Sequence, residues 1–235
     1  MMKAISTYIT EKFQVSKDDI RVYKYYPQTK DELREILEDR LAEDKNADLN
    51  DIDVSAITDM SALSDGTGLF EKLDPHNINI SEWDVSNVKY MGYMFFRCYN
   101  FNSDLSDWDV SNVIDMDRMF ARCEKFNANL SDWDVSKVIN MHSMFNGCEN
   151  FNSNLSKWNV AKVKDMSSMF YGCEKFNCDL SDWDVSNVNY IGFMFARCEK
   201  FNSNLSKWNV AKVTSMFSAF DNCTSLKNKP TWYKE

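Results

Sequence analysis

Cysteine is the residue here whose type and spacing most suggest chemistry. Six of the seven stand at Cys98, Cys123, Cys148, Cys173, Cys198 and Cys223, each 25 residues after the last. A thiolate is a nucleophile and a soft metal ligand, but both roles need partners. A Cys–His pair needs an imidazole beside the sulfur, and the two histidines, His76 and His142, adjoin no cysteine. His142, next to Met141, reads as chance occupancy of a variable position. Zinc needs clustered ligands; there is no C-x-x-C, and Cys173 and Cys178 are five apart with no histidine nearby. No glycine-rich phosphate loop occurs. The expectation is a non-enzyme with no catalytic residue, no metal and no cofactor. The repeated cysteines read as buried free thiols. A disulfide between neighbouring coils, within reach at ~5 Å, is the alternative, which parallel side-chain directions disfavour.

Carboxylates are the second chemical resource. They flank a repeated tryptophan as Glu82 and Asp84, Asp107 and Asp109, Asp132 and Asp134, and Asp182 and Asp184, while Lys157/Asn159 and Lys207/Asn209 fill the other copies. Aspartates stacked ~5 Å apart repel by roughly 0.8 kcal/mol in water and ~3 kcal/mol at an effective dielectric near 20. They must stay hydrated or meet cations. The expectation is an acidic strip that steers a basic protein partner or holds divalent cations loosely. A ribbon lacks the closed oxygen cage of a tight calcium site, and a plainly solvated face is the alternative. A second candidate interface is aromatic: Tyr90, Tyr93 and Phe96 in one copy, Tyr190 and Phe193 in another. These stand where Arg118, Ser143, Ser168 or Ala121 stand elsewhere. Such rings either mark an interface or are covered by a neighbouring element.

The elements that position these residues recur. Trp83, Trp108, Trp133, Trp158, Trp183 and Trp208 keep the same 25-residue period as the cysteines, and a fixed period of this length signals stacked units. Within a unit, Trp108 and Val110 alternate with Asp107 and Asp109, as in a half-buried strand. Val113, Met116, Met119, Phe120 and Cys123 then have the spacing of one helix face, with Ser111 as its N-cap. Strand and helix at fixed pitch predict an α/β architecture: a leucine-rich-repeat-like solenoid of ~25-residue strand–helix repeats with a parallel sheet on one face. Stacking buries the indoles as a core ladder. Asn102, Asn127, Asn152, Asn177 and Asn202 read as an inward ladder satisfying backbone groups of adjacent coils.

Residues 1–48 lie outside the repeat and read as an N-terminal α/β cap of helix, strand and helix. Ala4 to Phe13 is helical in spacing, Ser16 to Asp19 turn-like, and Ile20 to Tyr26 strand-like. Thr29 and Glu32 form a capping box before a helix over about 30–43 with Leu33, Ile36, Leu37 and Leu41 on one face. Residues 49–226 form the repeat array. Its first copy is degenerate, with Leu49, Ile52, Val54, Ile57, Met60 and Leu63 in the places of Leu105, Trp108, Val110, Val113, Met116 and Met119. Ile52 and Trp83 are 31 residues apart, so six extra residues intervene, assigned to a loop over 64–76, either neutral or functional. Residues 227–235 form a C-terminal edge, with Tyr233 in the tryptophan register.

Of the 235 residues, 44% are hydrophobic and 27% charged, enough for a sizeable core. The net charge of −9 argues against nucleic acid and against anionic membrane surfaces. No signal-peptide pattern, lipid-anchor cysteine or spanning segment is evident, so no membrane insertion is expected and the sequence as it stands reads as cytoplasmic.

The pattern W-D-V-S-N-V-x-x-M-x-x-M-F-x-x-C-x-x-F-N-x-x-L-S, carried by Trp108 to Ser131, resembles the BspA-like leucine-rich repeat family, also described as mycoplasma-type surface-protein repeats of unknown function. The lead-in over 47–54 is similar to the usual start of such arrays, and the resemblance spans about Asp48 to Leu226. It implies a curved β/α solenoid, cell-surface adhesion and protein binding, and a surface location. Signal-less chains of this kind also resemble proteins carried by phages of gut bacteria, which implies a virion-associated scaffold as the alternative. A carbohydrate-binding adhesin is a third reading, favoured by exposed aromatics on the concave face.

Overall fold

A computed structural model describes residues 22–234. The segments read as helix over 4–13 and turn over 16–19, and the start of the strand at residue 20, lie outside the described residues.

The described chain contains one helix, α1, Lys30–Glu43. Thr29 caps it, its hydroxyl accepting from the Glu32 N–H, while the Glu32 carboxylate accepts from the Gln28 N–H at 2.7 Å. Leu33, Leu37 and Leu41 are fully buried, as the apolar stripe predicts, and Ile36 packs partly buried against the core. The strand expected through Tyr26 reduces to one bridged residue, Tyr25 opposite Ile52.

The rest is neither strand nor helix, which overturns the α/β expectation and with it the leucine-rich-repeat-like architecture. Among the described residues there is no parallel sheet. Asp59, Tyr90, Asp115, Asn140, Asp165, Tyr190 and Ser215 each form a single-residue parallel bridge to the next, and turns flank every one. Each coil is built from i→i+3 turns: the Trp108 N–H donates to Leu105 O, Val113 to Val110, Met119 to Met116, Cys123 to Phe120 and Phe126 to Cys123. A chain of such turns brings a side chain inward every third residue, so Val113, Met116, Met119, Phe120 and Cys123 share the spacing of a helix face without its i→i−4 bonds. The helix is barred by backbone conformation as well. Arg118 and Arg122 have φ of 52° and 69°, in the left-handed region that ends helices, at the third residue of their turns, where a type II turn requires it. Glycine fills the second of these places in two coils, as Gly147 and Gly172.

The freed N–H groups bond between coils. Met116, Arg118, Phe120 and Arg122 donate to Asn140, His142, Met144 and Asn146 at 2.7–3.0 Å. Two buried side chains add pins in the opposite sense. The Trp133 Nε1–H donates to Leu105 O, and the Cys148 thiol donates to Phe120 O at 3.0 Å. The same pair of bonds recurs from Trp108 and Cys123 to Trp208 and Cys223. All seven cysteines are free and buried. The indoles are buried as expected, and two phenylalanine columns accompany them. Phe70, Phe95, Phe120, Phe145, Phe170, Phe195 and Phe220 stack at 4.8–5.8 Å, with Phe101 to Phe201 beside them. Stacked rings add about 0.5–1.5 kcal/mol per pair beyond area burial.

The first coil corrects the placement of the insertion. Phe70 donates to Met94 O as Phe95 does to Met119 O, so Leu69 and Phe70, not Leu63, hold the places of Met119 and Phe120. The extra residues therefore fall between Met60 and Leu69, and part of the supposed loop over 64–76 is core. Gly68 is required there, because a Cβ would lie 2.2 Å from Tyr93 O. Since the N–H groups in the places of Met116, Arg118, Phe120 and Arg122 point to the following coil, the matching carbonyls of the first coil have no donor coil before them. Helix α1 replaces it: Arg34 donates to Leu69 O and Glu71 O, and Lys30 to Ala62 O. At the other end Tyr233 closes its turn on Pro230, but Trp232 continues the indole column, 6.1 Å from Trp208 and donating to Leu205 O.

Two outcomes follow from the pins. Trp158→Phe keeps an aromatic ring in the column but loses the pyrrole half of the indole and with it the donor to Leu130 O, so denaturant unfolding should show a loss of at least about 1–3 kcal/mol, the cavity adding to the lost bond. Burial raises the repeated thiols above their ordinary value, Cys223 to about 12 from 9.0. A raised folded value means full stabilisation below pH 9 and loss as pH climbs towards 12. Stability should thus fall more steeply above pH 9 in the native protein than in Cys223→Ser, compared by denaturant titration across that window.

Candidate functional site

The paired carboxylates lie on exposed turns, not on a sheet. Each regular coil turns at two corners where an Asp or Asn side chain accepts the N–H two residues on, and at a third where Asp59, Asp115, Asn140 and Asp165 do the same but Tyr90, Tyr190 and Ser215 do not. In one coil these are Asp104 with Ser106, Asp109 with Ser111 and Asp115 with Asp117. Asn129, Asn154 and Asn204 serve the first corner equally well, and Asn159 and Asn209 the second. Such Asx turns are what short polar side chains do when the backbone must reverse. Asp84, Asp109, Asp134 and Asp184 therefore hold a corner. Hydrogen bonds from Ser111, Ser136 and Ser186 pull the Asp109, Asp134 and Asp184 carboxyls below the usual carboxylate range. Their contribution to stability is present above that range and is lost as pH falls. The repulsion expected between stacked aspartates survives as a minor opposing effect of Asp134 on Asp109.

The partner column differs. Asp107 and Asp132 are exposed and have no hydrogen bond or ion pair among the described residues. Asp182 approaches Lys207 at 3.9 Å with both side chains well exposed, a pair worth little. Glu82 is exposed in the same register, its N–H bonded to Asn50 Oδ1. The eight carboxylates so divide into a corner-holding set and an outer register, Glu82, Asp107, Asp132 and Asp182, which Lys157 interrupts and Lys207 ends.

The aromatic candidates fall into two clusters on one side, four coils apart. Tyr90 and Tyr190 occupy the bridge register and are exposed. Tyr93 packs edge-on to Phe96 at 5.3 Å, with the Arg118 guanidinium over the Tyr93 ring and Arg97 over Phe96. Phe193, 40% exposed, lies edge-on to Phe217, which is 66% exposed, and also meets Tyr171. Phe217 and Tyr171 carry no repeat signature, and the register of residue 217 holds Gly92, Asp117, His142, Ser167 and Gly192 elsewhere, so spacing does not mark them. Between the clusters Asp117 accepts from Arg118 and His142 Nδ1 at 2.9 Å, and His142 Nε2 lies 3.4 Å from Ser143 Oγ. His142, at a variable position, thus bonds across coils to Asp117. No metal-binding group of three or more His, Cys, Asp or Glu occurs among the described residues, and no helix there is long and apolar enough to cross a membrane.

Residues 32–155 and 128–233 each match the family described as "Mycoplasma protein of unknown function, DUF285". Together they cover most of the chain, which belongs to this repeat-containing family. No curated protein and no solved structure matches.

The corner assignment has a simple test. Asp109→Asn should leave stability within about 0.5 kcal/mol, whereas Asp109→Ala should cost roughly 1 kcal/mol, measured by thermal or denaturant unfolding.

Proposed function

We propose that this member of a Mycoplasma-type family is a non-catalytic protein-interaction module of adhesion type that docks a basic partner on its acidic strip. The observation that carries this reading is the outer column, Glu82, Asp107, Asp132 and Asp182. The corner aspartates beside it have a structural duty, but nothing in the packing of a coil requires Asp107 or Asp132 to be charged. The three successive carboxylates Glu82, Asp107 and Asp132 make a negative potential that accelerates encounter with a basic surface, while Lys157 and Lys207 in the same register bound it. The resemblance of Trp108 to Ser131 to BspA-like repeats, a family associated with surface adhesion, supports the same class. The aromatic clusters at Tyr93/Phe96 and Phe193/Phe217 offer the kind of apolar anchor that a charged strip lacks. A rigid spacer within a surface or phage assembly is a second reading, favoured by the continuous phenylalanine columns, which stiffen the stack along its length.

The two readings part under charge removal. Asp107→Asn with Asp132→Asn and Asp182→Asn leaves every corner intact. If the strip docks a basic partner, capture of that partner from host lysate by the native protein weakens as salt rises, and the triple variant loses most of it. Undiminished capture with the same salt dependence would sink the strip and leave the spacer.

A further inference from the structure

The asparagine ladder does more than join coils. Asn127, Asn152, Asn177 and Asn202 each donate their backbone N–H to the side-chain Oδ1 of the asparagine one coil earlier, at 2.8–2.9 Å. An N–H can only donate, so the accepting atom is the oxygen, and the orientation of every amide is thereby fixed. All five asparagines are exposed rather than inward as the spacing suggests. Their Nδ2 groups have no acceptor among the described residues. A second asparagine column behaves differently: Asn87, Asn112 and Asn187 spend Nδ2 on carbonyls of the preceding coil. One column is consumed by the fold, and the other presents a line of oriented donors, one per coil.

Three features of the surroundings narrow the ligand. Two shallow polar depressions border the row, one touching Asn177, Asn202, Ser203 and Lys207, the other Asn77, Asn100, Asn102 and Lys125. Tyr99, 45% exposed, precedes Asn100 in the chain and gives this end of the row an exposed aromatic ring. Glu124, Glu149, Glu174 and Glu199 alternate with Lys125, Lys175 and Lys200 along the flank, so the local charge is nearly balanced. Donors without net charge, repeated once per coil along one axis, call for a neutral polymer with an acceptor on every residue. An extended glycan has that form: a hydroxyl or N-acetyl oxygen on each sugar, and apolar sugar faces that stack on aromatic rings. A peptide alternates donors with acceptors and matches half the row at best.

We propose that Asn102, Asn127, Asn152, Asn177 and Asn202, with Tyr99 at one end, form a binding site for an extended neutral glycan lying along the stack. The site is separate from the acidic strip and does not depend on it. Chitohexaose and cellohexaose are extended, whereas maltohexaose coils and cannot keep one acceptor per rung. Titration calorimetry on the full chain should show binding of an extended hexamer at least tenfold tighter than maltohexaose. Asn127→Asp with Asn177→Asp keeps each oxygen acceptor and deletes the donors, and should weaken binding at least tenfold with an unchanged melting temperature. Tyr99→Ser, an exposed change that leaves every rung in place, should weaken it too. Asp107→Asn with Asp132→Asn should leave it unchanged. No heat from either extended hexamer at millimolar concentration, equal binding of maltohexaose, or full binding by both the asparagine and tyrosine variants would overturn the proposal.

Discussion

The structure depends on one constraint: no coil can satisfy its own buried polar groups. A 25-residue turn-built coil has too few internal hydrogen bonds, so four alternate N–H groups point forward to the next coil while an indole, a thiol and two further backbone N–H groups, as at Ile114 and Lys125, point back. Leaving such groups unpaired in the interior costs about 1–3 kcal/mol each. The period is therefore enforced by hydrogen-bond geometry as much as by apolar packing. Tryptophan recurs because it alone joins a large apolar ring to a single donor. Cysteine fits because it is a small hydrophobe with a weak donor. The same constraint explains α1, whose Arg34 and Lys30 take the role of a missing coil at the first set of carbonyls.

Corners and surface columns are the second layer. Because Asp and Asn make the same Asx turn, the corner positions are free to vary in charge without loss of shape. The coils with Asn159 and Asn209 keep the geometry of those with Asp109 and Asp134. Surface potential can thus be adjusted coil by coil on a constant backbone. The carboxylates of greatest functional interest are those with no corner to hold.

Much of this was legible in the residues. The shared period of Trp108 and Cys123 announced a stack, Thr29 and Glu32 announced α1, and the asparagine ladder's role as a coil-to-coil acceptor followed from its spacing. Secondary structure was not legible, for a physical reason. Successive i→i+3 turns and an α-helix both return a side chain inward after three residues, and Val113, Met116 and Met119 fit either. The sign of φ at Arg118 and Arg122 decides between them, and arginine does not advertise it; Gly147 and Gly172 in the same column were the available hint. The Trp108–Val110 alternation was too short to separate a strand from two adjoining turns. Trp232 escaped because the indole column is continued from a residue one place off register.

The forward-pointing amides have a directional consequence. Every coil after the first accepts from the one before and donates to the one after in identical register, so a whole 25-residue unit can be duplicated or lost within the array without disturbing either terminus of it. Reach, and the number of rungs offered to a ligand, then become matters of how many units one chain carries rather than of the slow discovery of new side chains.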